Sequence, residues 1–258
     1  MFSQTIALFR YQLLGIINGR IIILLLMICS VAFLASQFVA QLAIINSENI
    51  ALATMADFLR YSLVLLLIIS LSYQISQDYE LSQFERLLAM PLSRLQYVLA
   101  QFLVLVVLAF VLSMPLFLLI MLLSNTSVAM YWALATFMEL MLVGQFTLLA
   151  IISLEKLPLA VIFSIALYLL AKSVSLIDLI LSRSAPFYDE EGSFQLIQFL
   201  FSGIHYVLPD SSYFALNNVF FEPVNYVDLL STQFISVMVY SIFIQSVILI
   251  DFYRKEFN

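Results

Sequence analysis

Long apolar runs separated by short polar breaks organise this chain. A helix that crosses roughly 30 Å of hydrocarbon needs about 20 apolar residues. Six stretches reach or approach that length: residues 21–45, 58–75, 97–123, 128–152, 157–181 and 232–251. Pro115 falls inside the third, where its ring and missing N–H are expected to kink the helix. Pro158 falls in the first turn of the fifth, where the missing donor costs little. Two other segments are one-sided instead. Phe2, Ile6, Phe9, Leu13 and Ile16 recur at spacings of four and three, so residues 1–20 are expected to form an amphipathic helix lying in the inner membrane interface. Within the long connection 182–230, Phe194, Ile197, Phe201, Ile204 and Leu208 make a second stripe. That stretch is too short and too polar to span, so an interfacial or re-entrant helix on the outer face is expected. The chain shows no internal repeat and no low-complexity linker.

Composition changes the picture in one respect. Of 258 residues 64% are hydrophobic and only 10% charged, whereas soluble chains run near half apolar and about a quarter charged. The excess apolar surface has to face lipid, and one all-α polytopic membrane domain over residues 1–258 is expected. The first run begins only after Arg20 and has no small-x-small cleavage pattern near its end, so it reads as a retained helix rather than a signal peptide. Cys29 is the sole cysteine; it has no internal disulfide partner and reads as a small hydrophobe.

The net charge of −6 is sorted by side. Arg10, Arg20, Arg86, Arg94, Lys156, Arg254 and Lys255 fall on the side of the N-terminus. The opposite side has only Arg183 and, at a helix start, Arg60; it carries Glu48, Asp57, Asp189, Glu190, Glu191, Asp210, Glu222 and Asp228. Lys and Arg concentrate in cytoplasmic connections, so both termini are expected in the cytoplasm.

On that side, between the second and third runs, the chain reads "DYELSQFERLLAMPLSR", residues 78–94. Leu81, Phe84, Leu87 and Leu88 recur at helical spacing, with Glu80, Gln83 and Arg86 mostly off the stripe. Pro91 ends the pattern, because the residue before proline disfavours helical backbone. A plain connection needs only two to eight polar residues. A helix with one apolar edge, held under the membrane between two spans, suits docking into a partner's groove.

In this stretch the chain resembles the type-2 ATP-binding-cassette (ABC) transporter permeases, the six-helix membrane subunits of many bacterial exporters. Their second cytoplasmic connection commonly reads Glu-x-Gly-Thr-Leu-Glu-x-Leu-Leu-x-x-Pro-x-Ser-Arg, and Glu80, Glu85, Leu87, Leu88, Pro91, Ser93 and Arg94 match in register. Ser82 and Gln83 depart from the usual Gly-Thr. The resemblance implies that this segment is a coupling helix seated in a cleft of a separate ABC ATPase, with Glu80, Phe84, Glu85, Leu88, Pro91 and Arg94 as its contact residues. It implies two permease copies, as a homodimer or close heterodimer, in a bacterial inner membrane, with ATP and Mg in the partner ATPase and no cofactor on this chain. "LPDSSYF", residues 208–214, is similar to segments before the last span in permeases linked to multi-copper enzyme maturation. The chain itself has no G-x-x-x-x-G-K-S/T and no glycine-rich phosphate loop, and only five glycines. A nucleic-acid partner is not expected.

Glu139 and Lys172 fall deep within the fourth and fifth runs, roughly 16 and 14 Å from their outer ends at ~1.5 Å per residue. An ionisable group near the bilayer centre costs at least ~2.5–3.5 kcal/mol, so it takes a partner or lines a pathway. Their matching depth predicts an interhelical ion pair. His205, the sole histidine, lacks the further ligands that zinc requires, and the acidic run 189–191 lacks a fixed ligand spacing. Other classes are weighed against the permease. A polytopic membrane enzyme would need clustered catalytic groups, an ion-coupled carrier two related halves and Gly/Pro-broken helices, and neither pattern is present. A haem-export permease for cytochrome c maturation would have a shorter connection than 182–230.

Overall fold

The computed structural model describes residues 9, 20–80, 94–188, 214, 217–221 and 225–254. Among these the chain is all-helical. Its elements are α1 (Arg20–Leu42), α2 (Ser47–Glu80), α3 (Arg94–Leu123), α4 (Thr126–Leu154), α5 (Leu157–Tyr188), a 3-10 turn (Asn217–Phe220) and α6 (Tyr226–Arg254). Five stretches are long and apolar enough to cross a membrane: Ile21–Leu42, Ser47–Ser76, Leu95–Leu123, Thr126–Leu154 and Tyr226–Asp251. This is consistent with a multi-pass membrane protein. α5 contributes a shorter apolar stretch, Leu157–Ser173.

Tight turns set the order. α1 gives way to α2 at Asn46, whose φ of 53° is left-handed, a conformation that asparagine tolerates better than most residues. The first run therefore stops at Leu42 rather than reaching residue 45. Ser124 and Asn125 alone join α3 to α4, with Asn125 in extended backbone. Glu155 and Lys156 alone join α4 to α5, where Glu155 is left-handed at φ 58° and its N–H closes the last turn on Ile151. Two-residue links leave neighbouring helices no choice but antiparallel packing. α3 continues through Pro115 as one helix.

The second run departs most from its sequence-based expectation. α2 begins at Ser47, well before residue 58. Arg60 is consequently not at a helix start on the outer face. It lies thirteen residues inside α2, roughly 20 Å along the axis, and is only 3% exposed. The remaining helices extend past their apolar runs by a few residues, most of all at the end of α5 and the start of α6.

α4 is the centre. It packs against α2, α3, α5 and α6, whereas α1 rests chiefly on α2. Two-thirds of the membrane-length window of α4 is buried (67%), against 11% in α1. Polar side chains sit inside: Gln101, Thr136, Glu139, Gln145, Thr147 and Gln233 are buried, while Leu26, Leu34, Phe38, Ile162, Ile242 and Phe243 are exposed. Polar groups between helices and large aliphatics outside is the arrangement lipid requires, since tails offer no hydrogen bonds.

Three polar pairs tie α4 to α6. Gln233 Nε2 donates to Tyr131 Oη at 3.3 Å, Gln145 Nε2 to Ser241 Oγ at 2.7 Å, and Ser153 Oγ to Asp251 Oδ2 at 2.7 Å. The numbers rise together along both helices, so α4 and α6 run parallel. At Gly144 α4 has no side chain where Leu105 of α3 presses in; a Cβ there would overlap Leu105 Cδ1.

Candidate functional site

The buried charges converge on α4. Glu139 also lies thirteen residues into its helix, so Arg60 and Glu139 reach the same depth from the starts of α2 and α4. The guanidinium meets the carboxylate in two places: Nε donates to Oε2, and Nη2 to Oε1 at 3.0 Å. This fork is the strongest geometry available to an arginine and a carboxylate. From α5, Lys172 Nζ lies 3.1 Å from Glu139 Oε1, and Tyr168 Oη donates to the same oxygen at 3.2 Å. Tyr168 and Lys172 are four residues apart on α5, one turn of a single face. The structure thus brings together the two residues expected to pair, and adds two that sequence reasoning assigned no role in the site.

One carboxylate between two cations leaves a formal excess of positive charge. Asp57, one turn before Arg60, offsets it: its Oδ1 lies 4.0 Å from Arg60 Nη1. Asp57 Oδ2 in turn accepts from Asn217 Nδ2 at 2.6 Å. A continuous polar chain therefore runs from the 3-10 turn through α2 to α4 and α5. The side chains of Arg60 and Glu139 are 4% and 3% exposed, and that of Lys172 18%. Of the three charges that meet at Glu139, Lys172 is the most exposed, while Asp57 at the edge of the cluster is 32% exposed.

The segment around the 3-10 turn covers the cluster. Phe214, Val219 and Phe220 are buried, and Phe220 stacks on Trp132 of α4 with ring centres 5.3 Å apart. Phe214 closes a cavity of about 20 Å³ whose walls include Glu139, Tyr168, Ser164 and Phe146. That is room for about one water molecule. Tyr131 stacks obliquely on Tyr226, fastening the start of α6 to the start of α4 beside it.

No family model, no curated protein and no solved structure matches this chain. The reading of function consequently stands on residues and geometry. Of the residues assigned to the coupling segment, Phe84, Glu85, Leu88 and Pro91 lie outside the described residues. Glu80 is the last residue of α2 and Arg94 the first of α3. The amphipathic stripe at 194–208, the acidic run 189–191 and His205 also lie outside them, as does the N-terminal stripe apart from Phe9, which packs against the core.

The signals for the missed residues were present. Arg60 would have been found by starting the second helix at Ser47, where Asn46-Ser47-Glu48 resembles an N-terminal cap. Tyr168 would have been found from its i, i+4 relation to Lys172. Nothing local links Asn217 to Asp57, which are 160 residues apart.

Proposed function

We propose that this chain is the membrane-spanning permease subunit of an ATP-driven ABC exporter, working beside a second copy or a close relative in a bacterial inner membrane. Separate ABC ATPase subunits hold the ATP and Mg. In this reading six helices cross the bilayer, α5 (Leu157–Tyr188) being added to the five that are long and apolar enough. Both termini are cytoplasmic, and the segment before α6 is on the outer face. With Arg60 inside the bundle, Arg183 is the one cation of the tally left on that face.

The observation that carries the reading is the segment Glu80–Arg94. It matches the coupling motif of such permeases, and it joins the end of α2 to the start of α3. α2 holds Arg60 against Glu139 and also packs on α1, α3 and α5. A push on this segment from an ATPase closing on ATP acts on a helix already fastened to the centre of the bundle. Rigid-body rocking at the permease interface follows from such a push. The ion-paired cluster keeps α2, α4 and α5 moving as one unit.

A photo-crosslinking residue at Phe84 or Leu88 tests the proposal in membranes. Covalent capture of a Walker-motif ATPase is expected; adducts with lipid alone would overturn it.

A second reading, an ion-coupled carrier, draws on one observation: intramembrane carboxylates shared by cations mark ion pathways in such proteins. Its test is uptake or release in vesicles driven by a proton gradient with no ATPase present.

A further inference from the structure

α5 and α6 each pack along α4 and scarcely touch one another. Near the end of α4 this leaves a groove of about 410 Å³ between them. Leu149 of α4, Phe163 of α5 and Val247 of α6 give it apolar walls, and Phe163 is exposed. At its mouth stand Ser153, Asp251 and Arg254. Asp251 and Arg254 are one turn apart in the last turns of α6, where a membrane helix leaves hydrocarbon for headgroups. Ser153 Oγ donates to Asp251 Oδ2 at 2.7 Å, which holds the carboxylate in place and leaves Oδ1 available. Among the described residues Arg254 lies within ion-pair distance of no acidic group. The groove therefore offers oily walls and, at headgroup level, one fixed anion beside one uncommitted cation.

We propose that this groove is a binding site for a phospholipid with a zwitterionic headgroup that ends in a primary ammonium. Arg254 takes the phosphate, Asp251 takes the ammonium, and an acyl chain lies along Phe163, Leu149 and Val247. The charge pair selects the headgroup. A purely anionic lipid would satisfy Arg254 but bring nothing to Asp251 except repulsion. A quaternary ammonium has no N–H to donate and is recognised by aromatic cages, whereas the described residues lining this groove offer a carboxylate and a single phenyl ring. A primary ammonium has three donors for that carboxylate. The site is separate from the Glu139 cluster and does not depend on the transport reading.

The test uses the full-length protein, purified in detergent and loaded with lipids of identical acyl chains. The series is phosphatidylethanolamine, its mono- and dimethyl forms, phosphatidylcholine and phosphatidylglycerol, with retained lipid read by native mass spectrometry. Retention is expected to fall stepwise with methylation, by roughly tenfold between the ends of the series, the effect of about one charge-assisted hydrogen bond. Asp251→Asn is expected to abolish the discrimination, and Arg254→Gln to weaken retention of every phospholipid in the series. Equal retention of the amine and its trimethyl form, or a preference for phosphatidylglycerol, would overturn the proposal. If Asp251→Asn fails to fold, the methylation series on the unaltered protein still decides.

Discussion

Arg60 and Glu139 are locked side by side, Nη2 3.0 Å from Oε1, at the same number of residues from the starts of two different helices. Equal depth on parallel neighbours lets the fork close without either side chain climbing or descending. Glu139 also takes Lys172 and Tyr168 of α5 on one carboxylate oxygen. Glu139→Gln keeps the volume and removes the charge, leaving two buried cations facing an amide. Breaking a buried pair from one side costs about 3–5 kcal/mol. The expected result is a large fall in the yield of monodisperse protein and in its thermal midpoint; an unchanged midpoint would mean that water reaches these charges.

Arg60 and Lys172 are not equivalent partners. Arg60 meets the carboxylate in two places and is almost fully buried, whereas Lys172 lies against Oε1 alone of that carboxylate and its side chain is 18% exposed. A long, flexible lysine can swing its ammonium toward water or headgroups. Lys172→Met is therefore expected to be mild and Arg60→Met severe. In the double variant Arg60→Met/Glu139→Leu, the loss should be smaller than the sum of the two singles, by about 0.5–3 kcal/mol. Strict additivity in thermal denaturation would argue that the fork contributes nothing.

Gly144 bears on the α3–α4 contact. Alanine there meets Leu105 Cδ1, the tip of a fully buried side chain. Overpacking costs about 1–3 kcal/mol, while replacing glycine in a helix returns about 1 kcal/mol. Gly144→Ala is expected to be nearly neutral to mildly destabilising, because a leucine tip can rotate. Gly144→Leu has no such escape and should push α3 off α4. Proteolytic nicking at the α3–α4 turn, fast in the leucine variant and slow in the alanine variant, would report this order. Equal rates would contradict it.

The covering segment can be followed by the protein's own fluorescence. Trp132 is the sole tryptophan, fully buried, with Phe220 stacked on it. Asn217 holds the same segment to Asp57 at 2.6 Å. A hydrogen bond to a charged group contributes about 1.5–3 kcal/mol. Asn217→Ala is expected to loosen the segment, shift Trp132 emission to the red and raise quenching by a soluble quencher. An unaltered spectrum would mean that Phe214 and Phe220 hold the segment without the polar contact.

The helices were legible because lipid enforces a crude rule, about 20 apolar residues in a row, and α1, α3, α4 and α6 obey it closely. α2 did not announce its start. Residues 47–57 include Ser47, Glu48, Asn49, Thr54 and Asp57, which lower the hydropathy of a stretch that is nonetheless helical. Two of these polar groups are accommodated in the helix: Thr54 Oγ1 donates back to the Ile50 carbonyl, one turn earlier, and Asp57 accepts from Asn217, which no local pattern announces. Reading that stretch as connection put Arg60 at the surface and hid half of the site. The meeting of Glu139 and Lys172 was legible from depth alone, because charges in hydrocarbon have few places to go. That Arg60 is the tighter partner was not, since depth could not be counted from a misplaced start.

The coupling proposal makes a prediction that separates docking from folding. Glu85 lies within the motif that matches coupling segments and outside the described residues. If it contacts a cationic patch on an ATPase, Glu85→Lys places like charges together, at a cost of several kcal/mol across an interface. Among the described residues the charges that hold the centre of the bundle are Arg60, Glu139 and Lys172, on α2, α4 and α5. The variant is therefore expected to insert, purify and melt as the unaltered protein does. Its complex with the ATPase should weaken, and hydrolysis in vesicles should no longer respond to the permease. A charge-reversed ATPase residue that restores the response would identify the contact. Loss of membrane insertion in Glu85→Lys would instead assign the residue to folding, and undiminished coupling would remove it from the interface.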